Sequence, residues 1–262
     1  MLIKPKKKLG QNFLTDKNIL RKLVASYGLS GSERVLEIGA GYGELTRLIA
    51  PHVRDLYALE IDRGLAGILK DNTSGQRNIK VINRDILKFD PRVYFKGTKG
   101  KIKVIGNIPY YITTPIIETI IGYRDKISSA FITVQKEFAE RITAAKGGKE
   151  YGSFSCFVQY YTEPKVLFAI KKNSFFPPPK VDSCLLRLKM REAPAVKVKD
   201  EKVFFKIIRA AFNQRRKTLR RSLRGILPAQ KLNAFLSASP AGPDARPEEL
   251  SLSDFARLEN TL

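Results

Sequence analysis

Asn107-Ile108-Pro109-Tyr110 sets a side-chain amide, a proline-stiffened turn and an aromatic ring within four residues. A planar base carrying an exocyclic amine presents two hydrogens and a face. The Asn107 side-chain oxygen and the main-chain carbonyl of Ile108 or Pro109 could accept those hydrogens, while Pro109 fixes its own φ and adds no competing donor. Tyr110 offers a ring for an extruded base. A plain β-turn would use N-x-P-Y equally well, so the box gains meaning only from its surroundings.

Three further groups share its character. Gly39, Gly41 and Gly43 in VLEIGAGYGELT follow an apolar run and open a helical one, a place where backbone must approach a ligand closely. Their G-x-G-x-G spacing is neither the G-x-G-x-x-G of dinucleotide folds nor a P-loop. Glu60 closes ALEID, 17 residues after Gly43, placed to accept both hydroxyls of a ribose. Asp85 closes INRD, placed for an adenine edge. Each acid could instead cap the helix that follows it. A ribose-binding acid also suits NAD, against which the glycine spacing counts.

These residues converge only if a shared platform positions them. ERVLEIG, DLYALEI, NIKVINRD, KIKVIGN and SSAFITVQ read as short apolar strands, interleaved with the helical segments ELTRLIA, DRGLAGILKDN and TPIIETIIG and followed by KEFAERITAA. NILRKLVASYGL is an earlier helix stopping at Gly28. Such alternation predicts an α/β fold with an open, mostly parallel sheet, helices on both faces and ligands beyond the strand carboxyl ends. KVLFAI and VDSCLLRLKM predict two more strands around the stiff FFPPPK connection. After REAPAVKVKDE the periodicity is helical, which divides the chain into domains 1–191 and 192–262.

Charge adds a partner. The 262 residues carry 48 Lys and Arg against 25 Asp and Glu, a net charge of +23. Residues 1–22, 171–191 and 202–224 hold +20 of it, leaving a nearly balanced body, so a polyanion such as nucleic acid is expected at those segments. Lys202, Lys206, Arg209, Arg216, Arg220 and Arg224 predict one helical stripe, opposite apolar Phe204, Ile207, Ile208, Ala211, Leu219 and Leu223. A basic amphipathic helix could lie on a membrane, but Trp is absent and the aromatic residues here look committed to packing. No stretch approaches the ~20 apolar residues of a membrane span. MLIKPKKKLGQNFL has no apolar core of a secretory signal, and a cytoplasmic protein is expected. Cys156, Cys184 and the single His52 are too few for a zinc set, and no metal is expected. They also leave little for Ser-His or Cys-His catalysis, and His52, after Pro51, reads as a solvated surface residue.

KKKLGQNFLTD, GNIPYYITTPII, FFPPPKVDS and AFNQRRKTLRRSL occur in this order, with SLSDFARL near the end. With the glycine loop and strand-end acids, they resemble the rRNA adenine N6-dimethyltransferases of the bacterial KsgA type over nearly the full chain. That family is a branch of the class I S-adenosylmethionine (SAM)-dependent methyltransferases. The resemblance implies a Rossmann-like sheet with a small all-helical C-terminal domain, SAM as cofactor and S-adenosylhomocysteine as product. It implies Gly39 and Gly41 beside the methionine part, Glu60 with Ile61 at the ribose, and Asp85 with Ile86 at the adenine. Gln11, Asn12 and Leu14 would close over SAM, and Asn107 would touch both cofactor and target. Asn107, Pro109, Tyr110 and Phe175 would form the catalytic group, Phe175 facing Tyr110 across the base with Phe176 beside it.

Expected RNA contacts are Lys6, Lys7 and Lys8 in the arm, Lys180 in the Pro-rich segment, and Arg209, Arg215, Arg216, Lys217, Arg220 and Arg221 in the small domain. The implied substrate is a small-subunit precursor, in which a monomeric enzyme dimethylates two adjacent adenosines of the 3′-terminal hairpin loop of 16S rRNA. Two alternatives stand beside it: the related macrolide-resistance enzymes, which perform this chemistry on large-subunit rRNA, and a non-catalytic nucleic-acid-binding factor. AFNQRRKTLRRSL and SLSDFARL favour the small-subunit reading over the first. The intact Gly39/Glu60/Asp85/Asn107–Tyr110 set argues against the second.

Overall fold

Successive strand residues point to opposite faces, so a strand buried at nearly every position must be covered on both sides. That is the state of β2 (Arg34–Ile38), β3 (Asp55–Glu60) and β5 (Ile102–Asn107), the Val, Ile and Leu-rich runs of the chain. The computed structural model describes residues 5–97 and 100–261. They fall into two compact units, Met1–Ala139 with Lys165–Met190, and Glu140–Pro164 with Arg191–Leu262.

In the first unit, β1 (Phe13–Leu14) and α1 (Lys17–Ser26) precede β2, and α2 (Glu44–Ile49) joins β2 to β3. Then come α3 (Arg63–Asn72), β4 (Ile79–Asn83) and α4 (Pro91–Tyr94) before β5, and α5 (Thr113–Gly122) and β6 (Ile127–Gln135) after it. Past α6 (Lys136–Thr143) and α7 (Ser153–Tyr161), the chain re-enters the sheet as β7 (Thr162–Ile170), then forms β8 (Phe175–Phe176) and β9 (Ser183–Met190). The seven-stranded order is β4-β3-β2-β5-β6-β9-β7. The first five are parallel, and β9 runs antiparallel to β6. Leu20, Leu23 and Ile49 from α1 and α2 pack with Val35, Leu56 and Ile105 of the sheet. Separately, β1 pairs antiparallel with β8.

The second unit contains α8 (Glu201–Asn213), α9 (Leu219–Ser222), α10 (Ala229–Ala238) and α11 (Leu252–Asn260). It differs from the expected 192–262 domain by recruiting residues 140–164. The reason is α7, an unforeseen helix whose Phe157, Tyr160 and Tyr161 rings lie 5.2–5.8 Å from Phe205 of α8, while Tyr160 also meets Phe204. The Tyr161 hydroxyl donates to Glu201 Oε2 at 2.7 Å, so the buried ring keeps a polar partner. The single basic stripe over 202–224 is also corrected. The helix ends at Asn213, Lys217 N–H closes a turn onto Gln214 O, and Leu219 N–H donates to Ala245 O before α9 begins. Arg216, Arg220 and Arg224 therefore do not continue the face of Lys202, Lys206 and Arg209. All six apolar residues of the predicted opposite side are buried.

Removing the Phe204 ring tests the α7–α8 core. Phe204→Ala should destabilise the helical unit by about 3–5 kcal/mol, read as an earlier transition in thermal or urea unfolding.

Candidate active site

The register across the parallel strands places Leu59 level with Ile38 and Ile82, and Gly106 level with Ile38. The residues that follow in each strand therefore open together on one crevice, lined by Gly39, Gly41, Glu60, Asp85, Asn107 and Tyr110 among others. Gly39 and Gly41 have φ of +73° and +57°, and their loop is pinned by Gly39 N–H donating to Leu59 O at 2.8 Å. A Cβ on Gly39 would come 3.2 Å from the Asn107 carbonyl, and one on Gly41 3.3 Å from the Phe13 ring. Only glycine lets the arm and β5 approach the loop this closely.

Glu60 is buried, and each carboxylate oxygen accepts one backbone N–H: Oε2 from Gly41 and Oε1 from Asp62, both at 2.9 Å. Each oxygen retains a lone pair for a ribose hydroxyl. Burial raises its pKa, and the backbone donors oppose the rise. Asp85 does cap the following turn, Oδ1 accepting from Leu87 N–H at 2.9 Å. The capping alternative thus holds for one oxygen and leaves Oδ2 without a partner among the described residues. Ile61 is half exposed and Ile86 buried, and both line the crevice as apolar walls. This donor and acceptor set fits the nucleoside half of SAM, and the glycine cradle leaves room beside it for the remainder.

Asn107 Nδ2 donates to the Asn12 carbonyl at 2.9 Å. That bond engages one of the two amide hydrogens and fixes the side chain, leaving Oδ1 without a donor among the described residues. Of the two candidate main-chain acceptors, Pro109 O already accepts from Ile112 N–H and Thr113 Oγ1, at 3.3 and 3.4 Å. The Ile108 carbonyl accepts from none of the described residues. Tyr110 is held by a 2.5 Å hydrogen bond between its hydroxyl and Ser183 Oγ, and burial raises its pKa, so it remains a neutral ring.

Neither Phe175 nor Phe176 lines the crevice. In the β1–β8 ladder Phe13 lies opposite Phe176 and Leu14 opposite Phe175, and directly opposed residues share a face. Phe13 lines the crevice, so Phe176 shares its side and is 61% exposed. Phe175, 3% exposed, packs into the core with Leu14. Gln11, Asn12 and the unforeseen Phe13 line the crevice, and Leu14, although packed in the core, lines the adjoining cavity with Phe13, Gly39, Gly41 and Asn107. Period-two alternation could have separated 13 from 14 and 175 from 176, but only if the pairing of these two-residue strands were known.

The expected RNA contacts divide. Lys6 Nζ pairs with Asp62 Oδ2 at 2.7 Å, and Arg215 donates to Gly148 O at 3.2 Å, so both serve the fold. The Lys7 side chain lies outside the described residues. Lys8, Lys180, Arg209, Arg216, Lys217, Arg220 and Arg221 are exposed. Among the described residues there is no group of three or more His, Cys, Asp or Glu that could hold a metal, and no helix is long and apolar enough to cross a membrane.

Beneath the glycine loop, Glu37 is buried with Oε2 lacking a hydrogen-bond partner among the described residues. Burial, reinforced by the nearby Glu60 charge, pushes its carboxyl up to about 8. The folded state thus holds a proton that the unfolded chain releases near 4.5. The resulting stability is full below that value and is lost as pH rises to about 8. Glu37→Gln should flatten the fall of the melting temperature over this window; equal slopes in both proteins would contradict the assignment.

The model of the family described as "Ribosomal RNA adenine dimethylase" matches residues 3–262. A relative from Geobacillus thermodenitrificans named "Ribosomal RNA small subunit methyltransferase A" is 42% identical, covering 98% of this chain and 90% of its own. One of the same name from Caldanaerobacter subterraneus is 42% identical, covering 99% and 98%. Among solved structures, a dimethyladenosine transferase from Plasmodium falciparum is 25% identical with a TM-score of 0.80, covering 94% of this chain and 95% of its own. The 23S rRNA methyltransferase ErmE is 26% identical with a TM-score of 0.75, covering 95% and 100%. These matches establish that the chain belongs to the ribosomal RNA adenine dimethylase family.

Proposed function

We propose that this methyltransferase dimethylates N6 of two adjacent adenosines in the 3′-terminal hairpin loop of 16S rRNA, on a small-subunit precursor, in the cytoplasm. Bound SAM supplies an electrophilic methyl group. The observation that carries the reading is the Asn107 amide, whose nitrogen donates to Asn12 O and so fixes the side chain with Oδ1 open to accept. Asn107 Oδ1 and the Ile108 carbonyl take the two N6 hydrogens and orient the amine lone pair. Tyr110 and Phe176 bracket the flipped base, Phe176 taking the place expected of Phe175. The amine loses its proton only as or after the new bond forms, which requires no strong general base.

Glu60 and Ile61 hold the ribose, and Asp85 with Ile86 reads the adenine of the cofactor. Gln11, Asn12 and Phe13 cover it. Lys8, Lys180, Arg209, Arg216, Lys217, Arg220 and Arg221 dock phosphates, positioning RNA without choosing the base. The small-subunit names of the relatives favour this substrate over large-subunit RNA.

Incubation with labelled SAM and small or large ribosomal subunits lacking these methyl groups should label the small subunit alone, at two adjacent adenosines. Label confined to the large subunit would overturn the assignment. Asn107→Ala should abolish transfer while RNA affinity survives. Phe176→Ala should lower kcat/KM on subunits about 5- to 100-fold, the loss of about 1–3 kcal/mol of base stacking, with folding intact. Phe175→Ala should instead lower thermal stability.

A further inference from the structure

The arm over the crevice is fastened at two places. At its far end, Asn12 O receives the Asn107 amide and Phe13–Leu14 pair with β8. At its near end, Lys6 Nζ reaches Asp62 Oδ2 at 2.7 Å, joining a lysine side chain 54% exposed to a carboxylate only 1% exposed. Leu9, Gly10 and Gln11, which line the crevice, lie between the two fastenings.

Asp62 is already committed to the cofactor side. Its Oδ1 accepts from Gly64 and Leu65 N–H at 2.9 and 3.4 Å, capping α3, and its own N–H donates to Glu60 Oε1 at 2.9 Å. Desolvation, the largest single influence, acts to raise its carboxyl pKa, but the Lys6 ion pair and the backbone donors together outweigh it and the pKa is lowered. Lys6 is equally committed to the arm: its N–H donates to Gln11 Oε1 at 2.8 Å, and its carbonyl accepts from Leu9 N–H at 3.0 Å. One ion pair therefore joins the residue that orients Gln11 to the residue that orients the ribose carboxylate.

We infer that Lys6 is a positioning residue for the cofactor, its pair with Asp62 latching the arm across the ribose end of the crevice and slowing SAM release. This rests on the SAM-binding reading of the crevice. It removes Lys6 from the RNA-docking surface, because a lysine neutralised by Asp62 has no counterion to exchange for phosphate.

The test measures SAM affinity by calorimetry and SAM release by stopped-flow displacement on the full chain without RNA. Lys6→Met should raise both Kd and the release rate about 3- to 5-fold, the upper end for an ion pair of a half-exposed lysine. Lys6→Arg should stay within about twofold of the parent. In an Asp62→Asn background, Lys6→Met should change nothing further, since the two side chains act through one contact. In a separate RNA titration, the salt dependence of binding should be unaltered by Lys6→Met and shallower by about one by Lys8→Met.

Parent-like SAM binding and release in Lys6→Met would overturn the latch, as would a loss that persists beside Asp62→Asn or a reduced salt slope in Lys6→Met. Failure of the parent chain to bind SAM would instead strike the cofactor reading itself, and the latch with it.

Discussion

Parallel strands share one carboxyl edge, and the chemistry of this protein depends on that edge being level. With Ile38, Leu59, Ile82 and Gly106 in one row, the next residues along β2, β3 and β5 are Gly39, Glu60 and Asn107, and Asp85 follows two beyond the end of β4. A one-residue slip of any strand would carry its side chains to the opposite buried face, where they would meet a different set of packing partners. Burial on both faces therefore enforces the same register that aligns the site. Core packing and site geometry are a single constraint here, and the loops can be short because the sheet has already placed their ends.

The level edge was legible in the sequence because it rests on local signals. Apolar runs ended by Gly39, Glu60, Asp85 and Asn107 announce both the strand and its functional terminus. The orientation of Phe175 and Leu14 was not legible, because it depends on a two-residue ladder between segments about 160 positions apart, which no local periodicity encodes. Helix α7 went unread for a related reason. Its Phe, Tyr and Cys run lacks a polar face, and its partner rings Phe204 and Phe205 lie some forty residues downstream.

Charge was legible in amount but not in assignment. Segment counting located the cations, yet Lys6 and Arg215 sit in those segments and are spent on Asp62 and Gly148. Buried carboxylates and open carbonyl ends recruit the cations that reach them, a choice made by the tertiary fold. The exposed remainder lies on several short elements and turns, because the helix expected over 202–224 breaks after Asn213.

The bond from Asn107 ends on a main-chain carbonyl, not on a side chain. Any residue at position 12 carries such a carbonyl, so this bond places no demand on the chemistry of Asn12 itself. What it demands is a path: the positive φ of Gly10, the pairing of β1 and the clearance above Gly41. The aim of the Asn107 amide therefore rests on glycines and strand residues of the arm that crosses it.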